Sequence, residues 1–315
     1  MARHTRRTVL AATALPLTGG LAQAAADATK LIILGTLGGP AVGGSRYNTS
    51  NVMVRAGSAY VLDCGYGVTE QLVRAGVRLQ DVRDIFITHH HPDHNIELGA
   101  LIYFAWYYGM KTPLGLYGPP PLKRIAADYM AAQKPDVDIW VKDIGHTPMP
   151  KVTSHEILHA GPVMQDANVR VTCAMVNHPP LLALAYRFDF PDRSVVFSGD
   201  TTPVEAVAKL AKGADVLVHE AMYLPALPGG AAAPAGPATS GPGISSDPAK
   251  LRAHLLRSHS PVEEVGRIAA EAGVKTLVLS HLAPGQAGIP DETWRAEAAK
   301  HFSGEIIVAH DLMVI

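Results

Sequence analysis

Short apolar runs that end at glycine, proline or a polar residue are the main feature of the hydrophobic pattern of this chain. Runs of this length that are rich in β-branched residues are typical of buried β-strands. The pattern predicts strands over residues 30–35, 51–56, 58–63, 82–88, 113–117, 169–176, 183–190, 194–198, 216–219, 274–280, 305–309 and 312–315. Apolar residues at helical spacing predict helices over residues 70–75, 96–108, 122–133, 203–211 and 261–272. The sequence therefore predicts an α/β protein.

Residues 1–26 form a separate compositional block. Arg6 and Arg7 precede a short apolar stretch, which is followed by the small-residue pattern Ala22-Gln23-Ala24. This layout is typical of a secretory signal, and the arginine pair suggests the twin-arginine route. A proline and two glycines interrupt the apolar stretch, so we expect no stable membrane span. The block predicts that the protein is periplasmic or secreted. We expect residues 27–315 to form a single domain.

Residues 225–248 consist almost entirely of Ala, Gly, Pro and Ser. A segment of this composition cannot bury enough apolar surface to pack into a core or to form a stable helix. Two interpretations stay open. The segment is either a surface insertion without a role, or a lid or entrance wall, because residues with candidate chemistry flank it on both sides.

Composition and charge narrow the function class only a little. The chain has 315 residues, 48% of them hydrophobic, which is enough for a large core. Its formal net charge is −1 and its 27 basic residues do not cluster, so the overall electrostatics do not favour a nucleic-acid partner. Cys64 and Cys173 lie in apolar runs and are expected to be buried free thiols, although an oxidising compartment would allow one disulfide.

The stretch from Thr88 to His94 reads THHHPDH and directly follows a predicted strand. His89 and His91 are two residues apart, so they project to the same side of an extended backbone. The proline that follows forces a turn, which brings Asp93 and His94 round behind them. Imidazole and carboxylate ligands in this spacing suit zinc, and also iron or manganese. His90 projects to the other side and is expected to be structural or to support a ligand.

Further ligands are expected from other strand ends. His178, Asp200 and His281 each follow an apolar, β-rich run. A single histidine after a strand is more often structural than a ligand. Together with the cluster at residues 88–94, however, the three residues indicate a metal site at the edge of a sheet.

These seven residues, in this order and spacing, resemble the metallo-β-lactamase superfamily, and the resemblance runs from about residue 30 to the C-terminus. It implies a four-layer αββα sandwich with a dinuclear metal site, most typically zinc, on one edge. One metal would take His89, His91 and His178. The other would take Asp93, His94 and His281, with Asp200 as the bridge. The resemblance also places Asp63 next to a ligand histidine, which it would orient, although a role in capping a glycine turn is an equal alternative.

Two further sequence elements indicate a particular branch of this superfamily. His219-Glu220-Ala221 follows a strand, and Ser258-His259-Ser260 precedes a helix. This combination resembles the ribonuclease Z-like branch, which also includes arylsulfatases and phosphodiesterases. The resemblance implies that Glu220 orients and charges His259, which would then protonate a leaving oxygen or hold an oxyanion. With Asp93, these two are the candidate catalytic residues. The alternative for Glu220 and His259 is a surface salt bridge.

The expected substrate rests on two departures from ribonuclease Z. Only 21 residues lie between His178 and Asp200, too few for a tRNA-binding arm, and the chain is expected to be exported. We therefore expect a dinuclear-metal hydrolase of small esters, phosphodiesters or aryl sulfates first, with a small-molecule ester as partner and no nucleic acid. A hydrolase of lactones, carboxylic esters or amides is the alternative, followed by a non-catalytic metal-binding protein. The oligomeric state stays open, and a dimer is compatible with the sequence.

The predicted helix after the metal loop carries an aromatic set, Tyr103, Trp106, Tyr107 and Tyr108. Aromatic residues on a helix are more often part of a core than of a pocket. Because this helix follows the metal loop directly, a substrate pocket for an apolar leaving group is the alternative, and Tyr223 is a second candidate for its wall.

Overall fold

A computed structural model describes residues 28–227, 229–232, 247–285 and 287–315 of the chain. The strands are β1 (Lys30–Gly35), β2 (Ser50–Arg55), β3 (Ser58–Leu62), β4 (Val82–Phe86), β5 (Leu114–Gly118), β6 (Val152–Glu156), β7 (Gly161–Gln165), β8 (Arg170–His178), β9 (Leu181–Asp189), β10 (Ser194–Phe197), β11 (Val216–Met222), β12 (Thr276–Ala283), β13 (Glu305–Val308) and β14 (Met313–Val314). The helices are α1 (Val68–Arg74), α2 (Pro92–Asn95), α3 (Leu98–Tyr107), α4 (Leu122–Asp143), α5 (Glu205–Leu210), α6 (Pro248–Ser258), α7 (Val262–Ala272) and α8 (Asp291–Ala298).

The strands form two seven-stranded sheets, each with an antiparallel and a parallel part. The strand order is β14-β1-β2-β3-β4-β5-β6 in one sheet and β13-β12-β11-β10-β9-β8-β7 in the other. Strands β3 to β6 run parallel, as do β10 to β13. The parallel parts matter for function because parallel strands all end at the same edge of their sheet.

The side-chain alternation of the strands explains the layers. In β1, Leu31 and Ile33 point into the cluster between the two sheets, whereas Ile32 and Leu34 point to helices α1, α3 and α4. A third apolar cluster joins the second sheet to α5, α7 and α8. A sheet with helices on one face and another sheet on the opposite face is buried on both sides, which is why its strands are almost entirely apolar. The predicted αββα sandwich is confirmed.

Several elements differ from the prediction. Strands β6 and β7 are the last strands of their sheets and have no fully buried residue, so they lack the continuous apolar run that marks the others. Helix α4 continues to Asp143, ten residues beyond the predicted end, and contains Pro135. Proline interrupts the helical hydrogen bonds, but Val137 and Trp140 beyond it pack on the outer core and hold the helix together. Helices α6 and α8 were not predicted.

Three other predictions concern the chain as a whole. Cys64 and Cys173 are both buried free thiols, as expected. Among the described residues, no helix is long and apolar enough to cross a membrane. Residues 1–26 lie outside the described residues, so the predicted signal and the periplasmic or secreted location stay predictions. Most of the predicted insertion 225–248 also lies outside them.

Candidate metal centre

The metal loop, residues 88–94, follows β4 and lies where the parallel strands of the first sheet end. His91 is extended and precedes the single turn of α2, which Pro92 opens in the first-turn position that proline favours. The backbone N–H of His94 donates to the carbonyl of His91 over 3.0 Å, which closes the loop. Asp93 and His94 are therefore carried behind His91, as the sequence predicted.

The first three histidines that were predicted to share a metal lie together. His91 Nδ1 is 3.1 Å from His89 Nε2 and 3.0 Å from His178 Nε2. His178 stands at the end of β8, and its Nδ1 donates to the carbonyl of Ser258 over 2.8 Å, which fixes the orientation of the ring. Three ring nitrogens thus converge on one point.

The second predicted set lies beside the first. Asp93 Oδ2 is 3.6 Å from His94 Nε2 and 3.4 Å from His281 Nε2. His281 is the extra residue of a bulge, because Glu220 pairs with Ser280 while Ala221 pairs with Leu282, and its φ is 44°. A bulge re-aims a side chain, and here it directs His281 from the strand end towards Asp93.

Asp200 lies between the two sets, immediately after β10. Its Oδ1 is 3.3 Å from His94 Nε2, and its Oδ2 is 3.1 Å from His281 Nε2 and 3.9 Å from His89 Nε2. It approaches histidines of both sets, so it is the residue that would hold both ions.

The donor set fits a pair of divalent ions. Two atoms that bind the same ion at about 2.1 Å lie no more than about 4 Å apart. The two distances given above for each set meet this limit, and all ligand atoms within a set lie within 4.8 Å of one another. His94 Nε2 and Asp200 Oδ1 are buried and have no hydrogen-bond partner among the described residues. Buried polar atoms without partners are costly, and a shared ion would satisfy both. His89, His91, Asp93, His94, His178, Asp200 and His281 are the residues that would hold the ions.

Burial prepares the histidines of the first set for metal binding. It lowers the pKa of His89 well below its usual value and that of His178 to about 4. Imidazole binds metal in its neutral form, so a lowered pKa keeps these rings ready at neutral pH.

Asp63 contacts the ring of the predicted ligand His94. It follows β3, and its Oδ2 accepts a hydrogen bond from His94 Nδ1 over 2.8 Å. The same carboxylate accepts from the backbone N–H and the hydroxyl of Thr88. Of the two roles considered for Asp63, this geometry favours the orientation of a ligand histidine, because His94 Nε2 must then face the centre.

Glu220 and His259 form a buried pair at the rim. His259 Nδ1 is 2.9 Å from Glu220 Oε2, and Glu220 Oε1 accepts a hydrogen bond from the backbone N–H of Thr201 over 2.6 Å. Only 8% of His259 and 3% of Glu220 are exposed, so the alternative of a surface salt bridge is wrong. Burial opposes charge on His259, but the Glu220 carboxylate outweighs it and raises the pKa of His259 to about 9.

The pair faces the predicted ligands. The rings of His259 and His178 are 5.1 Å apart, and His259 Nδ1 is 3.7 Å from Asp200 Oδ2. Both oxygens of Glu220 are occupied by Thr201 and His259, so Glu220 is placed to hold His259 rather than an ion.

A small cavity of about 30 Å³ lies behind Asp200. Asn51, His219 and Ser280 line it, and each has a buried side-chain atom without a hydrogen-bond partner among the described residues. His219 Nδ1 donates to the carbonyl of Glu220 over 2.7 Å, which leaves Nε2 as an acceptor. The volume and the polar lining suit one or two water molecules. Asn51 and Ser280 gave no motif signal, since only the fold brings them together.

Two predicted neighbours lie away from the centre. His90 Nε2 donates to the carbonyl of Pro119 over 2.8 Å, so His90 is structural, as expected. Trp106 is fully buried and donates to the carbonyl of Thr147, and Tyr103 packs against it in the outer core. The aromatic set is therefore mainly core, and the pocket alternative finds no support.

The seven predicted ligands and the Glu220–His259 pair are thus gathered at one edge of the sandwich. Residues 59–282, which include all of these residues, match the beta-lactamase superfamily domain. The chain belongs to the metallo-β-lactamase superfamily.

The comparisons agree on the fold and on the class of enzyme. The chain is 31% identical to a ribonuclease Z of Mycobacterium bovis (strain BCG / Pasteur 1173P2) over 289 residues, which cover 90% of this chain and 96% of that protein. The metallo-beta-lactamase fold protein YhfI from Bacillus subtilis aligns with a TM-score of 0.66 at 20% identity, covering 92% of this chain and 100% of YhfI. Human tRNase Z, short form, aligns with a TM-score of 0.64 at 20% identity, covering 91% and 98%. This superfamily member is a metal-dependent hydrolase, and its His and Asp clusters are compatible with a dinuclear site.

The predicted substrate class, small esters, is wrong, and so is the expectation of no nucleic-acid partner. Relatives that match along nearly their whole length carry the name ribonuclease Z. The short link between His178 and Asp200 was given too much weight, because similarity over 90% of the chain outweighs the length of one segment. Net charge was also a poor guide, since a value of −1 for the whole chain does not report the charge beside the site.

Proposed function

We propose that this protein hydrolyses phosphodiester bonds in RNA. The observation that carries the proposal is the position of the buried Glu220–His259 pair, with His259 Nδ1 3.7 Å from the central Asp200. A proton donor is thereby placed beside a site that can hold two divalent ions. The relatives named ribonuclease Z support RNA as the substrate.

Zinc is the ion we propose first, with iron or manganese as alternatives, because five imidazoles and two carboxylates suit all three. When bound, two such ions supply hydroxide near neutral pH and neutralise charge that builds on the phosphate oxygens. The protein supplies the arrangement. Asp200 keeps the two sets together, and Asp63 holds His94 in the required orientation.

His259 acts on the leaving group. Its Nδ1 is engaged by Glu220, so Nε2 is the ring atom that can reach a substrate. The carboxylate of Glu220 favours the protonated ring, as burial alone would not. As the bond between phosphorus and the leaving ribose oxygen breaks, that oxygen takes the Nε2 proton, and His259 becomes neutral. Hydrolysis then leaves one fragment with a hydroxyl and the other with a phosphate.

The experiment that tests the proposal is cleavage of a labelled single-stranded RNA and of a precursor tRNA by the full chain, with bis(p-nitrophenyl) phosphate as a small diester. We expect RNA cleavage that a chelator abolishes, and a loss of about 10²-fold or more in kcat for His259→Ala. His301→Ala, an exposed histidine paired with Glu263, is the control and is expected to be silent. Turnover of the small diester without RNA cleavage would overturn the proposal.

A further inference from the structure

Helix α6 carries a stripe of basic residues that leads to the proposed proton donor. Lys250, His254 and Arg257 are spaced i, i+4 and i+7, so they share one face of the helix. The chain has no aspartate or glutamate between residues 248 and 262. A chain with a net charge of −1 thus concentrates positive charge in the helix that ends at His259.

Apolar packing and hydrogen bonds fix this helix against the site. Leu255 packs on a small cluster that contains Met222 and Ala283. The carbonyl of Ser258 accepts the hydrogen bond from the ligand His178, and the backbone N–H of His259 donates to the carbonyl of Leu255. The position of the stripe relative to the metal centre is therefore set by the fold.

The charges on this face are open to a ligand. Lys250 and Arg257 are exposed. The Lys250 ammonium lies 3.6 Å from Asp247, which also caps the helix N-terminus. In the described part of the chain, no carboxylate lies within ion-pair distance of Arg257. Burial, followed by the positive charges of His259 and Arg257, lowers the pKa of His254, so at neutral pH this ring offers a hydrogen bond and the charge of the face comes from Lys250 and Arg257.

A basic helix is often no more than a solvated face. Here the stripe ends beside the residue that would protonate the leaving oxygen, so it lies within reach of a strand whose scissile bond is at the metals. From Lys250 to Arg257 the helix rises about 10 Å, at 1.5 Å per residue, which is long enough for contacts to successive phosphates. Lysine and arginine are the side chains that bind backbone phosphates irrespective of sequence.

We propose that Lys250, His254 and Arg257 bind the phosphate backbone of the RNA strand on the leaving-group side of the scissile bond. This inference rests on the proposed function and adds a substrate-binding surface outside the metal centre. It requires that the surface act on the affinity for a strand and not on the chemical step.

The test compares Lys250→Gln/Arg257→Gln with a charge-matched control, Arg170→Gln/Lys212→Gln. The control residues are exposed and lie near the start of β8 and before β11, at the opposite end of the strands from the metal centre. Steady-state kinetics are measured on a single-stranded RNA over a range of salt concentrations and on bis(p-nitrophenyl) phosphate. Because each phosphate contact contributes about 0.7 to the salt slope for single strands, the double variant is expected to lower that slope by about 1.4.

At low salt we expect KM for RNA to rise about 10-fold in the stripe variant, with kcat and small-diester turnover unchanged and the control unaffected. RNAs with neutral methylphosphonates on either side of the cleavage point then locate the contact. Neutral linkages on the leaving-group side are expected to remove the difference between parent and variant. An RNA KM equal to that of the control would overturn the inference, and so would an equal loss on the small diester. Failure of the parent to cleave RNA would instead overturn the proposed function.

Discussion

The Nδ1 of His259 lies 2.9 Å from the Oε2 of Glu220, and both side chains are buried at the edge where the strands of the second sheet end. Residues 39 positions apart in the chain meet because Glu220 is in β11 and His259 directly follows α6. The contact engages Nδ1 of His259 and leaves Nε2 as the ring nitrogen that is available to a substrate. It therefore separates the role of a proton donor from the role of a metal ligand.

Glu220→Gln is expected to reduce kcat for RNA by about 10²-fold, the low end of what general acid catalysis contributes. The amide keeps the shape of the carboxylate but no longer favours the protonated form of His259. The number of metals per chain and the KM are expected to stay the same, since Glu220 belongs to neither set of predicted metal ligands. Glu292→Gln, an exposed residue of α8, is the control. Loss of metal from the Glu220 variant would show that Glu220 acts on the ions and not on His259.

Asp63→Asn is expected to weaken metal binding by about 10–100-fold, the usual effect of losing a partner of a ligand histidine. The carboxylate accepts a hydrogen bond from His94 Nδ1 and fixes the ring, and an amide can present its N–H₂ group instead. Competition with a chromogenic chelator measures the affinity, and Asp128→Asn on the exposed face of α4 controls for the loss of one charge. Unchanged affinity would leave Asp63 only its hydrogen bonds to Thr88.

Asp84→Asn is expected to stabilise the protein at neutral pH. Burial raises the pKa of this β4 carboxyl to about 6 in the folded state. Since the unfolded chain ionises near pH 4, the stability contributed by the protonated form is complete below pH 4 and is lost as the pH rises to about 6. Asparagine is neutral throughout, so the variant should gain at most about 3 kcal/mol above pH 7. At pH 4 it should match the parent.

Thermal or denaturant unfolding of parent and variant at both pH values, with the same metal content in the two proteins, measures this difference. The Asp128→Asn variant is again the matched control, because its carboxylate is exposed. A gain of equal size at pH 4 and pH 7 would contradict the account, since it could not come from the ionisation of Asp84.

Trp106→Ala is expected to lower the free energy of unfolding by about 3–5 kcal/mol, because a fully buried indole is removed from the outer core. KM and kcat for RNA are expected to remain those of the parent at a temperature where the variant is folded. Tyr108→Ala, at an exposed position beside it, should change stability little. A selective rise in KM for Trp106→Ala would revive the idea that this helix lines a substrate pocket.

The metal ligands could be predicted from the sequence because they lie near the ends of apolar strands or in the loop that follows one. Parallel strands end at one edge, so a list of strand ends becomes a list of neighbours. His281 shows the limit of this reasoning, because its direction depends on a bulge that the spacing did not reveal. The sequence alone is equally compatible with two roles for Asp63, and only the distance to His94 favours the orientation of a ligand histidine.

Elements without a strong apolar pattern were missed. Strands β6 and β7 are half exposed, and α6 follows a segment rich in Ala, Gly, Pro and Ser that hides its beginning. The substrate was predicted wrongly because it was inferred from a missing arm and from the expected export, and net charge argued against a nucleic-acid partner. None of these features describes the charges that surround the site, on which binding depends.

Metal content and RNA cleavage measured in the same sample test the central claim most directly. The full chain is purified, its metals per chain are counted, and cleavage of a labelled RNA is followed in parent and Asp200→Asn protein. We predict two divalent ions per chain in the parent, RNA cleavage that a chelator removes and zinc or manganese restores, and loss of both activity and at least one ion in the variant. Metal-loaded parent protein that leaves RNA intact, or an Asp200→Asn variant that keeps both ions and full activity, would contradict the account.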